Sequence, residues 1–193
     1  MKKQLTSKVI AGDFKGKTIF LADIAVTRST KNIIRESVFN ALQGEVAGAV
    51  FVEVFAGSGT IGIEALSRGA EFAYFIEKDR NSYACIQKNL DLLGVQNARV
   101  YNADSFRFFP ELLESVAKKE KRIFYFDPPF SIRDNMENVY EDTISLIAAI
   151  KPHPLDIVAV EYMTGYELPL SIGAFTCVKS KKFGKSSVAY YTV

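Results

Sequence analysis

Histidine and cysteine are nearly absent from this 193-residue chain, which has one histidine (His153) and two widely separated cysteines, Cys85 and Cys177. So few imidazole and thiolate ligands exclude a structural zinc site, and no metal is expected. The two cysteines form no disulfide framework and read as reduced, buried thiols of a cytoplasmic protein. No apolar stretch approaches the roughly 20 residues of a membrane span, so no membrane partner is expected. The opening MKKQLTSKVIAGDFKGK lacks the continuous apolar region of a secretory signal. Repeats, low-complexity tracts and Gly/Ser linkers are also missing. With 48% hydrophobic and 24% charged residues, what is left is one globular domain with room for a small appendage.

Net charge is small but unevenly placed. Residues 1–40 carry eight Lys/Arg against three acids, and residues 179–193 carry four lysines and no acid. With a net charge of only +2, the middle of the chain is therefore acidic. Basic ends on such a chain form either a polyanion-binding face or simply solvated lysines, and charge alone does not choose.

Residues 8–21, KVIAGDFKGKTIFL, have the pattern of two short strands around Gly12–Gly16. In the following TRSTKNIIRESVFNALQG, apolar residues recur at helical spacing from Ile33 to Leu42. Ser29 or Thr30 is placed to cap this helix, and Gly44 lies beyond its end. From residue 49 strands and helices alternate: AVFVEVF, FAYFIE, ARVYNA, RIFYF and DIVAVEY are strands, each followed by a helix up to the fifth strand. The fourth helix covers about residues 136–149, and the third runs over SFRFFPELLESVAKK. Two more strands fill the tail AFTCVKSKKFGKSSVAYYTV, joined by a basic turn. Near-continuous apolar strands alternating with helices imply a parallel sheet covered on both faces, and the terminal hairpin makes its edge antiparallel. Ligands of such sheets sit beyond the carboxyl ends of the strands.

Two stretches fall at such ends. The first, Gly57-Ser58-Gly59-Thr60-Ile61-Gly62, follows a strand and opens a helix, as a nucleotide-binding loop requires. Glycines there allow a tight turn and close approach of the backbone to a ligand. Glu77 ends the next strand, where a carboxylate can accept from both ribose hydroxyls. A dinucleotide such as NAD and S-adenosylmethionine (SAM) both meet this geometry. Glu53, at the lip of the loop, favours SAM: it would repel pyrophosphate but suits the amino group of a methionine moiety. Asp104 ends the third strand, where it can accept from an adenine amino group or cap the helix that begins at Ser105.

The second stretch, Asp127-Pro128-Pro129-Phe130, ends the fourth strand. Proline supplies no N–H to a sheet ladder, so the strand must stop. The four residues suit a planar exocyclic amine: Asp127 accepts one N–H, the Pro128 carbonyl accepts the other, and Phe130 offers a face for stacking. Drawing both hydrogens away favours a tetrahedral nitrogen with its lone pair on the incoming methyl group. His153, between Pro152 and Pro154, reads as a loop residue and not a base. The lysines of the tail, Lys179, Lys181, Lys182 and Lys185, stand near its turn, within reach of phosphate.

FAGSG followed by DPPF resembles the SAM-dependent amino-methyltransferases. The stretch TRSTKNIIRESVFNAL before FAGSGTIGIEALSRGA is similar to the RsmD family, bacterial 16S ribosomal RNA guanine-N2 methyltransferases. Arg28, Thr30, Arg35, Glu36, Phe39 and Asn40 match that family's pattern, and Ser29 stands in place of its proline. VIAGDFKGK and KKFGKSSVAYY resemble the family's two ends. The resemblance implies a Rossmann-like, seven-stranded class I SAM-dependent methyltransferase sheet, mostly parallel with an antiparallel last strand. Residues 1–193 would form one methyltransferase domain, with 1–45 an RNA-contacting hairpin and helix and 46–193 the SAM-binding core.

It further implies that Glu53, Gly57, Gly59, Glu77 and Asp104 hold SAM, with Phe55, Ser58, Lys78 and Ser105 beside them, and that Asp127 to Phe130 hold guanine. Lys15, Lys17, Arg28, Thr30 and Arg35, with Lys181, Lys182 and Lys185, would contact RNA. The partner would be 16S rRNA or a partly assembled small ribosomal subunit, and the enzyme a monomer. Competing readings are an adenine-N6 methyltransferase on DNA or RNA, a protein glutamine methyltransferase, an NAD-dependent oxidoreductase and a non-catalytic RNA-binding module.

Overall fold

The apolar runs fold into a single sheet buried on both faces. The computed structural model describes residues 4–22, 28–129 and 138–193, with the backbone alone for 28–30. Strands β3 (Val50–Glu53), β4 (Phe72–Ile76), β5 (Ala98–Tyr101), β6 (Arg122–Phe126) and β7 (Ile157–Met163) run parallel. The antiparallel strands β8 (Ser171–Ile172), β9 (Phe175–Phe183) and β10 (Ser186–Thr192) complete an eight-stranded sheet ordered β5-β4-β3-β6-β7-β10-β9-β8. The seven expected strands are thus joined by one more, β8, whose two residues are too few to show a periodicity. Strand order reverses between β3 and β6, which opens a crevice at their carboxyl ends.

Helices cover both faces. Phe109, Leu112 and Val116 of α4 (Ser105–Val116) and Tyr140 and Ile147 of α5 (Val139–Ala148) pack on one face, against Val52, Phe124, Phe126 and Val160. Helix α1 (Arg28–Ala41) packs on the other through Ile34, Val38 and Phe39, beside α2 (Thr60–Ser67) and α3 (Arg80–Leu93). Neighbouring strand residues point to opposite faces. Phe51, Ile123, Tyr125 and Ala159 accordingly meet α1 and α2. The same period puts Glu53, Asp127 and Glu161 on the α1 side. Among the described residues, no helix is long and apolar enough to cross a membrane.

The N-terminal hairpin departs from expectation. Its strands are β1 (Thr6–Lys8) and β2 (Thr18–Phe20), and residues 9–17 make a loop stitched onto α2. The Ile10 and Ala11 amides donate to the Glu64 carboxylate at 2.8 and 2.9 Å, and Phe14 N–H donates to Ser67 Oγ at 2.9 Å. Glu64 is wholly buried and also accepts from Arg68 Nε at 2.9 Å. These amides satisfy a buried carboxylate instead of a ladder, which ends the strand at Lys8. Helix α1 begins at Arg28, so Ser29 and Thr30 lie in its first turn and do not cap it.

Helix α2 sits close against β4 because residue 62 has no side chain. A Cβ on Gly62 would lie 2.3 Å from Phe75 Cε1 and 3.0 Å from Glu53 Oε2. Gly62→Ala is expected to lower stability by about 1–3 kcal/mol, as overpacking in a full core does. Urea unfolding measures it, and unchanged stability would show that α2 can shift off the strand.

Candidate active site

The loop from β3 to α2 turns on two glycines with left-handed backbone, Gly57 (φ 53°) and Gly59 (φ 72°). They differ in surroundings. A Cβ on Gly59 would meet Ile86 at 3.0 Å, whereas one on Gly57 would meet no described atom within 4 Å. Open space therefore lies over Gly57, as a loop that cradles a ligand requires. Ser58 Oγ accepts the Ala22 N–H at 3.0 Å and ties the loop to the N-terminal segment.

Three acids surround the loop at the ends of β3, β4 and β5. Glu77 accepts the Gly57 N–H at 2.6 Å and the Asp79 N–H at 2.7 Å, which leaves lone pairs on both oxygens for further donors. Burial is the main force raising its pKa. Glu53 accepts the Gly62 N–H at 2.9 Å and is buried, and this burial pushes its pKa up to about 8. Asp104 caps α4 through the Phe106 N–H at 3.1 Å and accepts from Lys78 Nζ at 2.7 Å. The lysine's hydrogen bond is the chief reason its carboxyl lies below the usual range. The capping role read from the sequence is thus present, with one carboxylate edge tied to Lys78. Ser105 is fastened down: its hydroxyl donates to the Val54 carbonyl. Phe55 packs at 5.1 Å between ring centroids on Phe106, an aromatic not anticipated as part of the site.

Asp127, Pro128 and Pro129 continue from β6, the neighbour of β3, so they open on the same crevice as the loop. Phe130 lies outside the described residues. The surroundings of Asp127 supply three residues that sequence reasoning passed over. Lys31 Nζ of α1 lies 2.6 Å from Asp127 Oδ2 and 3.1 Å from Glu161 Oε1, and Tyr125 Oη donates to Glu161 Oε2 at 3.0 Å. A signal for them existed: Lys31 and Arg35 fall on the same helical stripe as Ile34, Val38 and Leu42. Glu161 is also the lone acid within the apolar run IVAVEYM.

The residues expected to contact RNA divide into groups. Lys15 and Lys17 are exposed in the hairpin loop, and Lys182 and Lys185 are exposed near the β9–β10 turn. Lys181 is exposed too, but donates to Ser37 Oγ of α1 at 3.0 Å. Arg28 and Thr30 begin α1, and their side chains lie outside the described residues. Arg35 does not face solvent. It is 2% exposed, donates to the Lys8 carbonyl at 2.6 Å and pairs with Glu64 at 3.9 Å. Its expected RNA contact is therefore corrected: the guanidinium holds the hairpin to the core, because a cation on the buried stripe needs a buried acid. His153 precedes β7, at the edge opposite the crevice, and its amide donates to Asp156.

Comparison with known proteins places this geometry among relatives. The chain is 35% identical to the ribosomal RNA small subunit methyltransferase D of Escherichia coli (strain K12) over 142 residues, covering 72% of this chain and 66% of that one. It is 31% identical to the Bacillus subtilis protein YlbH over 95% of this chain and 97% of the relative. Among solved structures, the Escherichia coli protein yhhF superposes with a TM-score of 0.79 at 30% identity, covering 97% and 98% of the two chains. The sheet, with its antiparallel β10 and β9 beyond β7, is that of the Rossmann-like methyltransferases. A family model described as "Conserved hypothetical protein 95" matches residues 7–192, so the chain belongs to that family, the RsmD family.

Proposed function

We propose that the chain is a SAM-dependent ribosomal RNA methyltransferase, and that its acceptor is the exocyclic N2 amine of a guanine in 16S rRNA of the small subunit. One observation carries the reading: the glycine loop of β3 and the Asp127-Pro128-Pro129 turn of β6 share the crevice where strand order reverses. Family membership and the names of the relatives support rRNA as substrate, and the resemblance across Arg28–Asn40 supports guanine.

SAM fits the donor set. Bound there, it supplies a sulfonium methyl whose departure leaves a neutral thioether. The space over Gly57 would admit the ligand, and the free lone pairs of Glu77 would accept from its ribose hydroxyls. Each Asp104 oxygen already accepts one hydrogen bond, and a remaining lone pair would accept from the adenine amine. Glu53 would stand toward the methionine end, whose ammonium would favour its ionised form against the cost of burial. Phe55 and Phe106 wall the adenine side with flat apolar surface.

On the acceptor side, Asp127 and the Pro128 carbonyl would accept hydrogen bonds from the two amine hydrogens, and Phe130, outside the described residues, is the residue proposed to stack on the base. So held, the nitrogen would present its lone pair to the sulfonium methyl that SAM would supply, the C–S pair going to sulfur as the N–C bond forms. The nitrogen sheds its extra proton, with Asp127 as the first acceptor in reach and water beyond it. Positioning and electrostatics supply the rate, and no histidine is needed. Residues 1–45 with the lysines of the terminal hairpin form the RNA-contacting surface, and residues 46–193 the SAM-binding core.

Two outcomes check this reading. Small subunits from cells lacking the gene, treated with the protein and labelled SAM and then digested to nucleosides, should yield N2-methylguanosine. N6-methyladenosine or no labelled nucleoside would refute the guanine assignment. Asp127→Ala should lose at least about a hundredfold in transfer rate, the scale of removing a transition-state acceptor, while calorimetry shows SAM affinity retained. Glu53 gives a pH test. Its folded pKa of about 8 lies above its unfolded value, so its contribution to stability is fully present below the unfolded value and is lost as pH rises to about 8. Melting temperature measured between pH 5 and 8 should therefore fall less in Glu53→Gln than in the native protein. Parallel curves would contradict the burial argument.

A further inference from the structure

Lys31 and Glu161 are not accounted for by cofactor binding or by the motif itself, yet they meet its acid. Lys31 Nζ reaches Asp127 Oδ2 at 2.6 Å and Glu161 Oε1 at 3.1 Å, so one ammonium stands between two carboxylates. Glu161 is 1% exposed and is held by the Tyr125 hydroxyl at its other oxygen. Tyr125 in turn stands two residues before Asp127 on the same strand face. The three residues come from α1, β7 and β6, and they converge on the turn after β6.

Charge determines what this cluster does. Two neighbouring carboxylates, one buried and one half-buried, repel each other, and a cation between them offsets that repulsion. If Asp127 took up a proton, it would become a hydroxyl donor on one oxygen and a weaker acceptor on the other. Lys31 pairs with both and fixes Oδ2 of Asp127, which leaves Oδ1 outside the ion pair. The ammonium stays charged: burial works to lower its pKa, but the charges of Asp127 and Glu161 more than reverse this. Burial and then the charge of Asp127 raise the pKa of Glu161. The other titratable groups facing the cluster are Glu53 of β3, Tyr140 of α5 and Tyr190 of β10. Tyr190 is 4% exposed, and its hydroxyl has no hydrogen-bond partner among the described residues. All three are acids or neutral phenols. Lys31 is the only described cation within ion-pair distance of either Asp127 or Glu161.

We propose that Lys31, anchored by Glu161, is a positioning residue for methyl transfer: its ammonium holds Oδ2 of Asp127 in place and leaves Oδ1 to accept from the substrate amine. The inference rests on the methyltransferase reading above. It assigns the N-terminal helix a part in the acceptor site, beyond RNA contact.

The test uses the full chain as Lys31→Met, which keeps an apolar stem of similar length, Glu161→Gln, and the double variant. Lys31→Gln serves if the methionine variant does not fold. Transfer to small-subunit rRNA is followed from pH 5.5 to 9, and the carboxyl carbon of Asp127 is titrated by NMR in the free proteins. Lys31→Met should lower kcat about tenfold or more at neutral pH. Its acid limb and the Asp127 titration should move up by about one pH unit or more, while SAM affinity is retained. Adding Glu161→Gln removes the competing carboxylate and should bring both back toward the native positions. A merely structural lysine would move stability and leave both pH curves in place, and that result overturns the proposal. An unmoved double variant also overturns it. If the native protein transfers no methyl group, the function reading fails by itself, and the NMR titration still decides the role of Lys31.

Discussion

A strand buried on both faces carries charged side chains near its two ends, and the site of this protein is built from that constraint at the carboxyl ends. Apart from Arg122, which opens β6, the residues of β3, β6 and β7 are apolar until near their carboxyl ends, where Glu53, Asp127 and Glu161 appear. Period-2 geometry then sends all three to the α1 side of the sheet. Each needs a partner there, since an unpaired buried carboxylate is costly. Glu53 finds the Gly62 amide, Asp127 finds Lys31, and Glu161 finds Lys31 and Tyr125. Chemistry and stability therefore draw on the same contacts.

The N-terminal segment takes part in this pairing. Glu64 of α2 accepts two amides of the hairpin loop, Arg35 spans from that acid to the Lys8 carbonyl, and Ser58 holds Ala22 against the glycine loop. Lys31, one turn before Arg35, closes the series at the acceptor turn. What composition shows as a basic tail is in part a set of internal cations. Among the described residues, outward lysines such as Lys15, Lys17, Lys182 and Lys185 are exposed and free to meet a polyanion. Lowering the salt concentration would strengthen their contribution and leave the buried pairs little changed.

Much of this was legible in residues alone. Alternation of apolar strands with helices gives the parallel sheet, and the strand-ending prolines after Asp127 mark the acceptor turn. Gly57 and Gly59 mark a turn, and both have the positive φ that such a turn needs. The third glycine was legible as a motif but not in its purpose, since only Phe75 in three dimensions shows why residue 62 must lack a side chain. Arg35 and the first hairpin strand were misjudged for one reason. Their partner, Glu64, lies 53 and 54 residues from the amides it binds, and no local pattern carries that information. The helical stripe that includes Lys31 and Arg35 was the available sign, and it conflicts with the habit of placing every cation in solvent.

The central claim is that the crevice between β3 and β6 brings a methyl donor to the Asp127–Pro128 acceptors. Crystals grown with S-adenosylhomocysteine test it most directly. The account predicts the ligand over Gly57, its ribose on Glu77, and its thioether sulfur directed at the Asp127–Pro128 turn. The distance should leave room for a methyl group and an amine nitrogen at roughly 3–3.5 Å. A ligand bound elsewhere, or lying over the loop with its sulfur turned away from Asp127, would contradict it.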